Sequence, residues 1–399
     1  MTLRLRADRT LVRAGHHSTR FLLAELTAPH TTARRERPPV NLAFVLDRSG
    51  SMAGSKLQLA HRAVAEAIGR LKPTDRFSVV VYDDRIDVVA ESGLATPDAC
   101  RVAVERLREI EARGSTNLAE GWLRGCEQVA LHQGGDAVHR VLLLTDGLAN
   151  VGVTDRDALE AHAAELRARG ISTTTFGVGA DFDETLLQGM ADAGGGHFYF
   201  IESAGQIADF VTSEVGEALE VVARDAALEL TLPAGVQAEA ISPFPCHGGA
   251  GRTVVSLGDL VSDQAVAVVL RLRFPSVPAA GPLPVEVAVR DREGVLAGSA
   301  ERATFEYAPD AANDSQPRER DVDRAVARQF AALARQEAVA LNRQGRFAEA
   351  AARLRAVAAR IARYAGDDAE LRAIVAELEG QERRFAAPMA ELARKEAWT

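Results

Sequence analysis

The feature that most constrains this chain is the stretch Val40-Asn41-Leu42-Ala43-Phe44-Val45-Leu46-Asp47-Arg48-Ser49-Gly50-Ser51-Met52. Its apolar run is continuous rather than alternating. That is the pattern of a strand buried on both faces, and such strands belong to parallel sheets covered by helices. The run stops in an acid, two hydroxyls and a glycine, and a helical pattern starts at Ser55. In open α/β sheets the ligand crevice forms outside the carboxyl ends of the strands. Asp47, Ser49 and Ser51 fall there on alternate residues of one tight turn, and their oxygens suit a hard cation.

Two later segments complete this cradle. Gly114-Ser115-Thr116-Asn117-Leu118 opens a helix, and Val141-Leu142-Leu143-Leu144-Thr145-Asp146-Gly147 is a second buried strand ending in an acid. Magnesium takes octahedral oxygen ligation, keeps some waters, and is usually held by one or two carboxylates with neutral oxygens. Asp47, Ser49, Ser51, Thr116 and Asp146 supply that set. Met alone, an aspartate or serine before a helix is usually a cap. Three oxygen-bearing segments in chain order point instead to a metal.

These five positions, in this order and in these strand and helix contexts, resemble the metal-ion-dependent adhesion site of the von Willebrand factor A family, the fold of integrin inserted domains. The resemblance implies that Ser49, Ser51 and Thr116 bind Mg²⁺ directly or nearly so, with Mn²⁺ or Ca²⁺ as alternatives. It implies that Asp47 and Asp146 act through waters, and that one coordination position stays open for an acidic side chain of a protein partner. Charge arithmetic agrees, because two carboxylates cancel a divalent ion and leave it attractive to a third. Arg48, Met52, Asn117, Leu148 and Asn150 are expected on the rim that a partner touches.

At 399 residues the chain calls for more than one domain. Its 47% hydrophobic and 26% charged content is that of a soluble globular protein, and its net charge of −9 argues against nucleic-acid binding. Lysine occurs only at positions 56, 72 and 395, arginine carrying the remaining basic charge. Cys100, Cys126 and Cys246 form no disulfide or zinc pattern. No stretch reads as a signal peptide or a membrane span, so the expected location is the cytoplasm.

Residues 1–39 read as strands around a Gly15-His16-His17 turn, joining a sheet made elsewhere, with 34–39 as a linker. Residues 40–220 alternate strand and helix, with 86–90 as an antiparallel edge. This predicts a doubly wound, mostly parallel sheet, Rossmann-like in layout. Residues 221–310 hold five short strands between Pro and Gly turns and predict a β-sandwich in which the α/β domain is inserted. A polar linker is expected at 311–317, and a helical region at 318–399. Its turn near Gly345 resembles that of a tetratricopeptide helix pair.

The leading functional expectation is a magnesium-dependent protein-protein interaction module and not an enzyme. Resemblance to cytoplasmic bacterial members suggests a MoxR-type AAA+ ATPase as partner, in assembly or remodelling of a complex. The alternatives are a metal-dependent hydrolase and a structural scaffold with an idle metal site. Hydrolysis needs a general base, and the three motif segments hold no His, Lys or Cys. Asp83 and Asp84 read as hairpin-turn acids, and His197 as structural.

Overall fold

The computed structural model describes residues 1–30, 38–135, 137–249, 251–278 and 281–398. The expected linker at 34–39 therefore lies outside the described residues except for Pro38 and Pro39. The amino terminus supplies β1 (Thr2–Ala7), β2 (Leu11–Arg13) and β3 (Ser18–Thr27). An alternating series follows: β4 (Val40–Asp47), α1 (Ser55–Gly69), β5 (Arg76–Tyr82), β6 (Ile86–Leu94), α2 (Pro97–Arg108) and α3 (Leu118–Ala130). It continues with β7 (Val138–Thr145), α4 (Arg156–Ala168), β8 (Ile171–Val178), α5 (Glu184–Gly194), β9 (Gly195–Ile201) and α6 (Ile207–Leu219). The chain forms two compact units, one made by this α/β series to Val222 and the other joining Met1–His30 to the chain from Ala223 onward.

In the α/β unit the strand order is β6-β5-β4-β7-β8-β9, parallel except for the antiparallel edge β6. The series runs outward from β4 to β6, then returns to start again at β7 on the other side of β4. The gap between β4 and β7 is thus the point where strand order reverses, which is where open sheets of this kind place a ligand. Every residue of β4 and of β7 is buried, in line with the apolar runs Leu42–Leu46 and Val141–Leu144 at their centres. The helices cover them: α3 carries Leu118, Trp122, Cys126 and Val129 at helical spacing and packs them on Ala43, Val45, Val80, Val141 and Leu143. Burying a side chain of that size contributes about 1.5–3 kcal/mol, so the sheet ends are held on a rigid base.

The second unit adds β10 (Val221–Thr231), β11 (Gln237–Ala240), β12 (Cys246–Gly249), β13 (Arg252–Val261), β14 (Ala265–Phe274), β15 (Leu283–Arg290) and β16 (Ala300–Ala308). They join the amino-terminal strands in two sheets of order β1-β3-β14-β11 and β12-β13-β10-β15-β16-β2. β3 lies antiparallel to β14 from Ser18 opposite Phe274 to Thr27 opposite Ala265. The sequence does not foresee β2, β11 and β12, because three or four residues are too few to display a period of two.

The expected linker at 311–317 is largely helical, forming α7 (Asp310–Ser315). Its buried Asn313 accepts a hydrogen bond from the Arg20 guanidinium at 3.0 Å. Beyond it, α8 (Arg320–Arg343), α9 (Phe347–Ala365) and α10 (Ala369–Phe385) share a core with Phe21, Leu23, Ile241 and Val269, and α11 (Glu391–Trp398) ends the chain. Among the described residues no helix is long and apolar enough to cross a membrane.

Candidate metal centre

The pairing of Leu46 with Leu144 sets Asp47 beside Thr145 and brings Asp146 to the same end of the sheet. Thr145 donates its hydroxyl to Asp47 Oδ2 at 2.6 Å, and the Ser49 amide donates to Asp47 Oδ1 at 2.7 Å. The Ser49 and Ser51 hydroxyls lie 3.1 Å apart, and Ser51 donates to Asp146 Oδ1 at 2.7 Å. Asp47, Ser49, Thr116 and Asp146 are buried, whereas Ser51 faces solvent. The arrangement is an acidic floor reached through one exposed hydroxyl.

Thr116 is fixed from two sides. Its amide donates to Asn150 Oδ1 at 3.0 Å, and its carbonyl accepts from the amides of Asn150 and Val151 at 3.3 and 3.2 Å. A Cβ added at Gly147 would stand 3.3 Å from Thr116 Oγ1 and 3.7 Å from Ser51 Oγ. The absence of a side chain at 147 leaves the Thr116 and Ser51 hydroxyls clear on either side of it. All five predicted donors are hard oxygens, and two are carboxylates, so the set fits Mg²⁺, Mn²⁺ or Ca²⁺ better than a thiolate-seeking ion.

Burial pushes the Asp47 carboxyl up to about 6, and the charge of Asp146 adds to the push while the bonds from Thr145 and Ser49 oppose it. Burial disfavours the charged form, and a bound cation would oppose that. The cation the structure does bring is Lys56, whose ammonium contacts Asp146 Oδ2 and lies 3.5 Å from the Ser51 carbonyl. Sequence reading of the three motif segments misses both Lys56 and Thr145. A signal exists for the first: a lysine in the opening turn of a helix opposes the helix dipole, and this chain has few lysines to spare.

Three of the expected rim residues are buried. Arg48 is 4% exposed, and its guanidinium pairs with Asp83 at 3.1 Å and with Asp87. Arg113 Nε also reaches Asp83 Oδ2, at 2.6 Å. Arg48 therefore ties the first motif loop to the β5–β6 hairpin instead of facing a partner. Asp83 serves a local turn bond to the Arg85 amide at 2.6 Å and this cross-loop pairing together. Met52 is 0% exposed, its apolar side chain turning into the core under the loop. Asn117 is 6% exposed and caps α3, accepting from the Glu120 amide at 3.4 Å. Leu148, 55% exposed, and Asn150 are at the surface, where Val153 adds a second apolar side chain that is 43% exposed.

His197, Glu214 and Glu217 form a second group of ligand-type atoms, all within 4.8 Å of one another. Here the protein supplies its own cations. Arg140 pairs with Glu214 at 2.5 Å, His197 lies 3.1 Å from it, and Thr174 and Tyr199 donate hydroxyls to it at 2.7 and 2.8 Å. Burial alone would raise Glu214, but Arg140 and then His197 hold it down at about 2. This group fastens α6 to β7, β8 and β9, in keeping with a structural His197.

An open α/β sheet with an oxygen-lined cradle at its strand-order reversal defines the class. Residues 41–213 match the model of the von Willebrand factor type A domain. The chain is 31% identical over 194 residues to the uncharacterized protein YfbK of Escherichia coli (strain K12), covering 48% of this chain and 33% of that protein. It therefore spans about a third of that relative's length.

Two solved structures show the fold over nearly the whole chain. The von Willebrand factor type A protein from Catenulispora acidiphila has a TM-score of 0.72 at 18% identity, covering 96% of this chain and 88% of that one. The ArnB paralog VWA2 from Sulfolobus acidocaldarius has a TM-score of 0.60 at 17% identity, covering 97% and 99%.

Proposed function

We propose that the α/β unit is a magnesium-dependent protein-interaction module with a complete metal-ion-dependent adhesion site formed by Asp47, Ser49, Ser51, Thr116 and Asp146. The observation that carries this reading is the run of contacts at the sheet's switch, from Asp47 through the Ser49 loop to Ser51 and Asp146, with Thr116 Oγ1 and Ser51 Oγ both beside Gly147 and Ser51 open to solvent. The bound ion supplies an electrophilic position for the Asp or Glu side chain of a protein partner. Leu148 and Asn150 at the rim contribute specificity. We read the chain's role as binding, not catalysis, because the site offers acids and hydroxyls and its lysine is engaged with Asp146.

The same reading takes a MoxR-type AAA+ ATPase as partner, in assembly or remodelling of a complex. It takes the two sheets of the second unit as a β-sandwich that receives the α/β insertion, and a bacterial cytoplasm as the setting. Free Cys100, Cys126 and Cys246 accord with a reducing compartment.

The test is affinity capture from native lysate with the full chain, in Mg²⁺ and in EDTA, using wild type, Thr116→Ala and Asp47→Ala. The expected result is a partner retained only by wild type in Mg²⁺, with Mg²⁺ raising the melting temperature of wild type alone. The same partners in every lane, with no Mg²⁺ effect on melting, would sink the reading.

A further inference from the structure

Lys56 is the second residue of α1, where the amides of the first turn already present partial positive charge. Among ordinary placements this is a poor one for an ammonium. What offsets it is Asp146, whose carboxylate is fully buried and whose two oxygens are divided between Ser51 on Oδ1 and Lys56 on Oδ2. The Lys56 side chain itself remains 29% exposed, so it reaches inward from the surface. It passes beside Gly179 in the loop after β8, where an added Cβ would stand 3.8 Å from Nζ. The glycine at 179 leaves uncovered a flank of the ammonium that a side chain there would contact.

We propose that Lys56 is the exchangeable counter-ion of this centre: its ammonium and the divalent metal compete for Asp146, and metal loading turns Lys56 out to the rim beside the incoming carboxylate. This deepens the metal-dependent reading above and rests on it. The electrostatics require a choice. Two carboxylates and one ammonium carry a net charge of −1, and a divalent ion entering with Lys56 in place makes it +1 inside a low-dielectric pocket. If Lys56 withdraws, the ion and the two acids are neutral, and the released ammonium adds a second attraction for an acidic partner.

Lysine as competitor weakens metal binding and makes loading depend on the divalent concentration. The ligand class is sharpened accordingly. An acidic side chain with a second carboxylate or a backbone carbonyl close by would engage ion and lysine together.

The experiment uses the full-length protein and two readouts. Mn²⁺ affinity is measured by calorimetry for wild type and Lys56→Met, with thermal melts in EDTA to confirm that the variant folds. Lysine acetylation by a small amine-reactive acetyl donor such as an activated ester, which transfers its acetyl group and releases its leaving group, is followed by mass spectrometry on wild type in Mg²⁺ and in EDTA, which needs no variant. Lys72, which is exposed, and Lys395, which is buried, serve as internal references.

Lys56→Met is expected to bind Mn²⁺ roughly tenfold or more tightly than wild type, and Mg²⁺ to raise Lys56 labelling severalfold with Lys72 unchanged. Equal Mn²⁺ affinity in both proteins, with labelling unmoved by saturating metal, overturns the proposal and leaves the metal site standing. Absence of binding in both proteins overturns the metal reading itself.

Discussion

Asp146 and Glu214 are both completely buried carboxylates of the α/β unit, and they differ in what meets them. Glu214 is met by Arg140, itself 2% exposed, by His197 and by two hydroxyls. With Glu217 nearby, two acids face two cations when His197 is protonated, and the group is neutral. Asp146 stands with Asp47 at the end of the sheet, and Lys56 is the cation on it. Residue types alone would nominate His197, Glu214 and Glu217 as readily as the loop site. Charge balance separates them: one cluster is complete within the chain, and the other keeps an unbalanced negative charge that burial makes costly.

The largest effect should come from unbalancing the complete cluster. Arg140→Ala leaves Glu214 buried without its main partner and should cost about 3–5 kcal/mol in urea unfolding of the full chain. Asp47→Asn should do the opposite in EDTA. Since burial holds the Asp47 carboxyl near 6, its charged form costs stability above that pH. The neutral amide should leave stability unchanged or raise it by on the order of 1–2 kcal/mol near neutral pH, while abolishing Mg²⁺ stabilisation. Equal losses in the two variants would erase the distinction.

A smaller effect concerns pH. The bond to Glu214 raises His197 above its usual 6.5, against the opposing influence of burial. A raised value means that the stabilisation is fully present below about 6.5 and is lost as pH rises through the folded value. Asp192 next to it is pushed up to about 7, by burial first and then by Glu160, and loses stabilisation in the same direction. Arg140, Glu214, Glu217 and Asp192 are the charged groups acting on His197 or its neighbourhood. In EDTA the melting temperature of wild type should fall by a few degrees from about pH 6 to about pH 9, and His197→Gln should flatten that slope. An unchanged slope would mean that His197 carries no charge in the cluster.

The smallest effect is at the loop site. Gly147→Ala places a methyl 3.3 Å from Thr116 Oγ1, close enough to shift that hydroxyl by a few tenths of an ångström. Stability in EDTA should change by less than about 1 kcal/mol, and Mn²⁺ affinity should drop several-fold by calorimetry. Unaltered affinity would remove Thr116 from the donor set.

The contrast also explains what could be read from the sequence. Asp47 and Asp146 are legible because each closes a buried strand, Asp47 directly after its apolar run and Asp146 one residue after Thr145, so strand geometry delivers both to the same end of the sheet. The switch point followed from the order of strands and helices. Arg48 was misplaced because its partners, Asp83 and Asp87, sit 35 and 39 residues away across a neighbouring hairpin. No local pattern records such a pairing. Met52 and Asn117 looked like loop residues, and only packing shows one entering the core and the other spent on a cap. Lys56 was overlooked because it falls in a helical segment, where a lysine is ordinarily a solvated side chain.

The amino-terminal strands carry a consequence for how the protein is made. β3 pairs along its whole length with β14, and the entire α/β unit is translated between them. At roughly 5–20 residues per second, that interval of about 240 residues takes about 10–50 s. During this time β3 has β1 on one side and no β14 on the other. The α/β unit is continuous in sequence and can close its own sheet meanwhile. The exposed strand edge is thus an aggregation hazard confined to the nascent chain, and synthesis of β14 at residue 274 is the event that ends it.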